Sequence, residues 1–196
     1  MFNLYDNCIL TYSLPNHKDI KEKILNSLSK GYELEDKSQS ISNTDYQKDL
    51  LDSKQDTWEK DNMETAHNRE YFKILYDSLQ KHFHPLLSDH FQVAEYTLTN
   101  FWYQQYKMNN RHDWHYHGGT NLIAVYNLEL PDAKFKTQFY DMFRKKDIEY
   151  IANEGDIVFT YAAMLHRSPP LISNERKTVI SMNYNLIQVK NDMRLK

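Results

Sequence analysis

The spacing of apolar positions changes near the middle of the chain. Apolar residues in the first part recur mostly at helical intervals, and from Gln92 onward they recur with a period of two. Residues 1–14 alternate loosely through Cys8, Leu10, Tyr12 and Leu14, which predicts a strand that Pro15 ends. Asn16 or Asp19 supplies a cap for a helix with Ile20, Ile24, Leu25 and Leu28 on one face, and Gly31 supplies its stop. Residues 33–57 are polar and rich in Ser, Asp, Lys and Gln, the pattern of a long surface loop. A second helix is expected over 58–83, with Tyr71, Phe72, Leu75, Leu79 and Phe83 on one face and Pro85 limiting it. Strands are predicted at 92–106, 121–129, 134–140, 147–152, 156–161 and 176–188, with breaks at Pro131-Asp132, Asn153-Glu154-Gly155-Asp156 and Pro169-Pro170. Helices first and strands later predict an α+β chain, with helices packed on a β-sandwich or barrel.

Composition narrows the class. The 196 residues suit a single domain, divided into a mainly helical part (1–91) and a strand-rich core (92–190). Hydrophobic residues make up 40% of the chain, enough to exclude disorder by composition. A net charge of -3 argues against an electrostatic nucleic-acid binder. The single cysteine, Cys8, excludes a disulfide framework and a Cys-based zinc site, and fits a reducing cytoplasm. No long apolar run and no signal-peptide pattern is present, so a soluble cytoplasmic protein without membrane association is expected.

The candidate chemistry lies in His115-Tyr116-His117, with His166 far downstream and Arg176 ten residues beyond it. Alternate residues of a strand share a face, so His115 and His117 can converge on one point and a distant histidine can complete three metal ligands. Two histidines plus one further ligand, with positions left open, is the arrangement of mononuclear iron oxygenases. Gly118-Gly119 leaves space beside the pair. His82-Phe83-His84 has the same spacing but falls at the end of a predicted helix, where residues two apart diverge, so it reads as surface or end-capping. Asp113 is read as an outer residue orienting an imidazole N–H, with direct ligation as the alternative. His112 lies on the opposite phase and is expected to face solvent.

The stretch from Phe101 to Asn185 resembles the Fe(II)/2-oxoglutarate-dependent oxygenase superfamily, closest to small bacterial and phage members of prolyl-hydroxylase type. The resemblance rests on His115-Tyr116-His117, Ala124-Val125-Tyr126-Asn127-Leu128 before Pro131, Gly155-Asp156-Ile157-Val158-Phe159, and then His166, Pro169, Arg176 and Asn183. It implies a double-stranded β-helix, a jelly-roll with the N-terminal helices packed on one sheet. It also implies His115, His117 and His166 as Fe(II) ligands, 2-oxoglutarate and O2 as cosubstrates, and Arg176 as the partner of the far carboxylate. A guanidinium suits that task by pairing both carboxylate oxygens. Lys177 is the rival: if Asn183 faces inward, alternation brings Lys177, Val179 and Ser181 inward with it, whereas an inward Arg176 brings Thr178. Tyr106 occupies the position of a cosubstrate-contacting tyrosine, and Asn183 is a further candidate for binding the cosubstrate. One departure is the third histidine: the superfamily more often carries Asp or Glu where His117 stands.

The implied reaction is hydroxylation of a substrate C–H, with release of succinate and CO2. The substrate is unknown, a protein side chain such as proline being favoured over a small molecule. The loop at 33–57 and the segment Tyr140–Lys146 are candidates for covering the site mouth. The competing readings are a cupin-like three-histidine metal-binding protein without 2-oxoglutarate chemistry, and a metal-free interaction module.

Overall fold

Two long antiparallel strands organise the molecule: β5 (Val93–Tyr106) and β12 (Lys177–Val189) pair from Lys177↔Tyr106 to Val189↔Val93. The computed structural model describes residues 3–5, 9–28, 31–46 and 69–189. In chain order the other elements are β1 (Asn3–Tyr5), β2 (Ile9–Ser13), α1 (His17–Ser27), β3 (Tyr32–Glu35), β4 (Gln39–Thr44) and α2 (Glu70–Ser78). A π-helical turn (Leu79–Phe83) and α3 (His84–Phe91) lead into β5. Then come β6 (Arg111–His115), β7 (Leu122–Glu129), β8 (Gln138–Asp141), β9 (Lys146–Asp147), β10 (Asp156–Tyr161) and β11 (Leu165–Ser168). The sheet runs β1-β2-β10-β7-β12-β5-β4-β6-β11-β8-β9, with β3 on β4. It curls into two facing halves, a large one from β1 to β5 and a small one from β4 to β9, as a jelly-roll does.

The large half is buried on both faces. Its outer face (Leu10, Phe101, Tyr103, Tyr126, Phe159, Ile180, Met182) packs under helix residues Ile20, Ile24, Phe72, Leu75, Leu79 and Phe83. Alternate residues turn inward: Ile9 and Val158 meet Phe139, Ile148 and Met164, while Val125 and Val179 meet Ile41, Tyr106, Phe135 and Leu171. Burial on both sides explains why Ile9–Tyr12 is an unbroken buried run rather than the expected alternation.

Several predicted boundaries move. Residues 33–44, read as loop, belong largely to the β3–β4 hairpin. In β4 only Ile41 and Thr44 are buried, too sparse an apolar signal to mark a strand. Residues 47–57 of that predicted loop, and 58–68 of the predicted second helix, lie outside the described residues. Pro85 does not end the helical region. It sits at the first positions of α3, where a missing N–H leaves no bond unmade. The π-helical turn keeps Leu79, Phe83 and Leu87, each four apart, fully buried. Gly31 is not the end of α1, which stops at Ser27. Its absent side chain admits the β4 backbone, since a Cβ there would lie 1.9 Å from the Thr44 carbonyl oxygen. The predicted strand at 134–140 is shortened to β8, preceded by a 3-10 turn at Ala133–Phe135, and only Lys146–Asp147 of the strand region near 147–152 pairs. Among the described residues no helix is long and apolar enough to cross a membrane.

A buried carboxylate locks the helices to the sheet. Asp45, directly after β4, accepts the Tyr71 hydroxyl at 2.5 Å and the Tyr103 N–H at 2.9 Å, and it pairs with Arg69 at 2.9 Å. Asp45→Ala strips a largely buried guanidinium of its counter-ion, and urea denaturation is expected to show a loss of about 3–5 kcal/mol. A loss below about 1 kcal/mol would mean that the cluster adds nothing to stability.

Candidate metal centre

β6 and β11 bring three distant histidines together. His115 stands opposite His166 in the β6–β11 register. His117, just past the end of β6, is held by its N–H on the Ala162 carbonyl at 3.0 Å. One ligand atom from each of His115, His117 and His166 lies within 4.8 Å of the other two. The second H-x-H does nothing comparable. His84 is buried beneath the helices, correcting the expectation of a surface or capping role, and its Nε2 lies 3.1 Å from the Tyr184 hydroxyl.

Hydrogen bonds fix the chemistry of these rings. Nδ1 of His115 donates to the Asp113 carbonyl at 2.8 Å, and Nδ1 of His166 donates to the Met164 carbonyl at 2.9 Å. Nδ1 of His117 meets the Asn183 side-chain oxygen at 2.7 Å. A carbonyl oxygen only accepts, so each Nδ1 carries the proton and each Nε2 keeps its lone pair. Burial favours the neutral form of all three, lowering His117 to about 4 and His166 well below its ordinary value. Three clustered neutral imidazoles, each with its Nε2 lone pair left for a ligand, form a donor set that suits Fe, Zn, Ni or Cu.

The trio opens into a chamber of about 280 Å³ between the two sheet halves. Along β12, Lys177, Val179, Ser181 and Asn183 all line it. Lys177 is 1% exposed, its Nζ donates to the Phe135 carbonyl at 2.7 Å and to Ser168 Oγ at 2.9 Å, and burial lowers its pKa to about 7. Tyr106 also lines the chamber, with Lys177 Nζ 5.2 Å from its ring centre. No aspartate or glutamate is among the described residues lining the chamber.

Four sequence expectations need correction. Arg176 does not reach the chamber. It lies on the opposite phase from Lys177 and forms a two-pronged pair with Glu129, at 2.7 and 2.8 Å, that also takes in the Thr178 hydroxyl. The Asp113 carboxylate orients no imidazole: Arg111 draws it aside at 3.3 Å, and only its backbone carbonyl serves His115. Asn183 faces the chamber with both ends of its amide committed, to His117 and at 3.0 Å to Asn100, so it is not a free cosubstrate donor. His112 is not turned to solvent. It lines the chamber stacked on His115 at 3.8 Å, where the β6–β11 register shifts. Ser168 and Trp102 were not singled out from the sequence. Ser168 was findable by carrying strand alternation two residues past His166.

No protein-family model matches the chain, and no curated protein sequence does. Solved structures do. The non-heme alpha ketoglutarate dependent carbocyclase SnoK from nogalamycin biosynthesis shares 7% identity with a TM-score of 0.63, over 94% of this chain and 83% of that one. A prolyl hydroxylase from Trichoplax adhaerens, in complex with a hypoxia inducible factor peptide fragment, shares 11% identity with a TM-score of 0.58, over 92% and 84%. The non-heme alpha ketoglutarate dependent epimerase SnoN shares 11% identity with a TM-score of 0.53, over 90% and 76%. At such identities the likeness is one of fold: this chain has the jelly-roll of the Fe(II)/2-oxoglutarate oxygenases.

A ligand that binds only the folded state raises its melting temperature, by the equivalent of about 2.7 kcal/mol at a hundredfold excess over Kd. Fe(II) or Co(II) added without oxygen is expected to stabilise the wild type and His82→Ala, and to lose that effect in His166→Ala. An undiminished shift in His166→Ala would place the metal elsewhere.

Proposed function

We propose that the chain is an Fe(II)- and 2-oxoglutarate-dependent dioxygenase that hydroxylates a C–H bond, with His115, His117 and His166 as iron ligands and Lys177 as the anchor of the cosubstrate's far carboxylate. The carrying observation is the pairing of two features in one chamber: a neutral three-imidazole cluster and a buried lysine with no acidic side chain among the described residues that line the cavity. Such a chamber, once it holds a divalent cation, is positive at both sites and complements a dianion.

Iron in this site would supply the redox chemistry that couples O2 reduction to decarboxylation: substrate C–H, O2 and 2-oxoglutarate give C–OH, succinate and CO2. The protein's own part is positional. The Nδ1 hydrogen bonds hold the three rings in the ligating tautomer. Lys177 and Ser168 fix the far end of the dicarboxylate, with Tyr106 beside them. Val125 and Val179 keep that end dry. A cavity near 280 Å³ falls at the small end of ligand sites, and a bound dicarboxylate leaves room for a side chain rather than a large metabolite. That favours a residue of a polypeptide, proline among the candidates, presented at the mouth. The β8–β9 hairpin, one strand from His166, offers the exposed Met142 and Phe143 as contacts for it.

Anaerobic titration with Fe(II) and then 2-oxoglutarate tests the reading. The visible charge-transfer band of the chelate is expected in wild type and in Arg176→Ala, with the cosubstrate Kd weakened at least tenfold in Lys177→Ala. Succinate release then screens substrates. Metal binding without a band would favour a cupin-like metal protein.

The lysine also sets a pH dependence. Burial lowers its pKa to about 7, and only the charged form holds a carboxylate. Above pH 7 binding must therefore take up a proton, and affinity falls by about tenfold per unit. Below pH 7 the lysine imposes no further change. Calorimetry at pH 8 in two buffers of different ionisation enthalpy is expected to show that uptake. A pH-independent affinity with no proton exchange would remove Lys177 from the role.

A further inference from the structure

His117 differs from the other two histidines of the cluster. His115 and His166 each donate Nδ1–H to the main-chain carbonyl two residues earlier, which no side-chain substitution removes. His117 depends on a side chain. Its Nδ1 meets Asn183 Oδ1 at 2.7 Å, and Asn183 Nδ2 donates to Asn100 Oδ1 at 3.0 Å. Both residues are 3% exposed, and Asn100 Nδ2 is buried with no hydrogen-bond partner among the described residues. The tilted ring of Trp102, 5.7 Å away between centres, packs beside the imidazole.

An amide has two faces of opposite hydrogen-bonding sense. With Asn183 Oδ1 toward the ring, His117 carries its proton on Nδ1 and Nε2 is free. With the amide reversed, an N–H points at Nδ1, the ring proton moves to Nε2, and the ligating lone pair is lost. The sense of one buried amide thus decides whether His117 can serve the cluster. We infer that Asn183, backed by Asn100, is a positioning residue that holds His117 in its metal-ligating tautomer. The inference rests on the metal reading of the site but not on 2-oxoglutarate chemistry.

The substitutions Asn183→Ala and Asn183→Asp separate this role from packing. Alanine removes the acceptor. Aspartate restores an acceptor that cannot be reversed, and Asn100 can turn its idle Nδ2 toward the new carboxylate.

The test reads ring tautomers by long-range proton–nitrogen-15 spectra of the metal-free protein, and metal affinity by Co(II) titration followed in the visible. Wild-type His117 is expected as the Nδ1–H tautomer. Asn183→Ala should shift it toward Nε2–H and weaken Co(II) binding by about 10–100-fold, and Asn183→Asp should restore both. A wild-type His117 protonated on Nε2 would overturn the inference even if the alanine variant fails to fold. So would wild-type Co(II) affinity in Asn183→Ala, or an aspartate variant as weak as alanine. Failure of the wild type to bind Co(II) would sink the metal reading and this inference together. Co(II) binding without a 2-oxoglutarate band in the iron protein would sink the oxygenase reading and leave this inference standing.

Discussion

A β-strand turns successive side chains to opposite faces, and in β12 that alternation separates two unlike environments. Ile180, Met182 and Tyr184 face the helices and fill the larger core. Lys177, Val179, Ser181 and Asn183 face the chamber, where they supply a buried lysine amine at one end and the Asn183–His117 bond at the other. The phase is not free to slip. A one-residue shift would put Lys177 and Asn183 under the helices and expose the apolar set to the cavity, so core burial enforces the site's orientation. Pairing with β5 along its whole length holds the register, and the two long strands carry Tyr106, Trp102 and Lys177 to the same chamber.

Within this frame the charge pattern of the chamber is informative. An isolated buried ammonium is unfavourable, and among the described residues Lys177 hydrogen-bonds a carbonyl and a hydroxyl, with the Tyr106 ring beside it. The neighbouring acid Glu129 is engaged on the other side of the strand, by Arg176 and Thr178. The protein therefore sets a lysine whose pKa burial lowers to about 7 in a chamber lined by neutral imidazoles, where an anion arriving from solution would favour the charged amine. The same residues explain why Arg176, the chemically better carboxylate binder, is not used: it lies one position out of phase, and its two-pronged geometry is already met by Glu129.

Much of this was legible in the chain. Period-two spacing located most of the strands of the second half and implied a sandwich or barrel, which the resemblance to the Fe(II)/2-oxoglutarate oxygenases narrowed to a jelly-roll. The spacing of His115 and His117, with a distant His166, named three residues that the structure brings within 4.8 Å of one another. Other features were hidden for specific reasons. β3 and β4 lie at the rim with few buried positions, so their polar sequence reads as loop. The phase of β12 was ambiguous because Arg176 and Lys177 are adjacent cations, and it takes tertiary contacts, the core burial of Ile180 and Met182 and the pairing of Arg176 with Glu129, to break the tie. The buried His84 and the stacked His112 escaped because helix packing and a strand register shift are tertiary effects, with no local signature.

Outer contacts tell more about this site than its three ligand-type residues do. Three histidines on a jelly-roll fit several metals and several chemistries, and the fold does not choose among them. What narrows the choice lies a shell away. On the proposed reading, Lys177 and Ser168 would receive an acid, and the absence of carboxylates among the described lining residues suits a negatively charged ligand. The Asn183–Asn100 amides set the state of one imidazole without touching the cavity's far end. A purely structural metal site would need neither a buried, uncompensated lysine nor an open chamber beside the ligands, since both lower stability. Their presence beside a core of aliphatic and aromatic side chains is the physical argument for the proposed reading over a purely structural one.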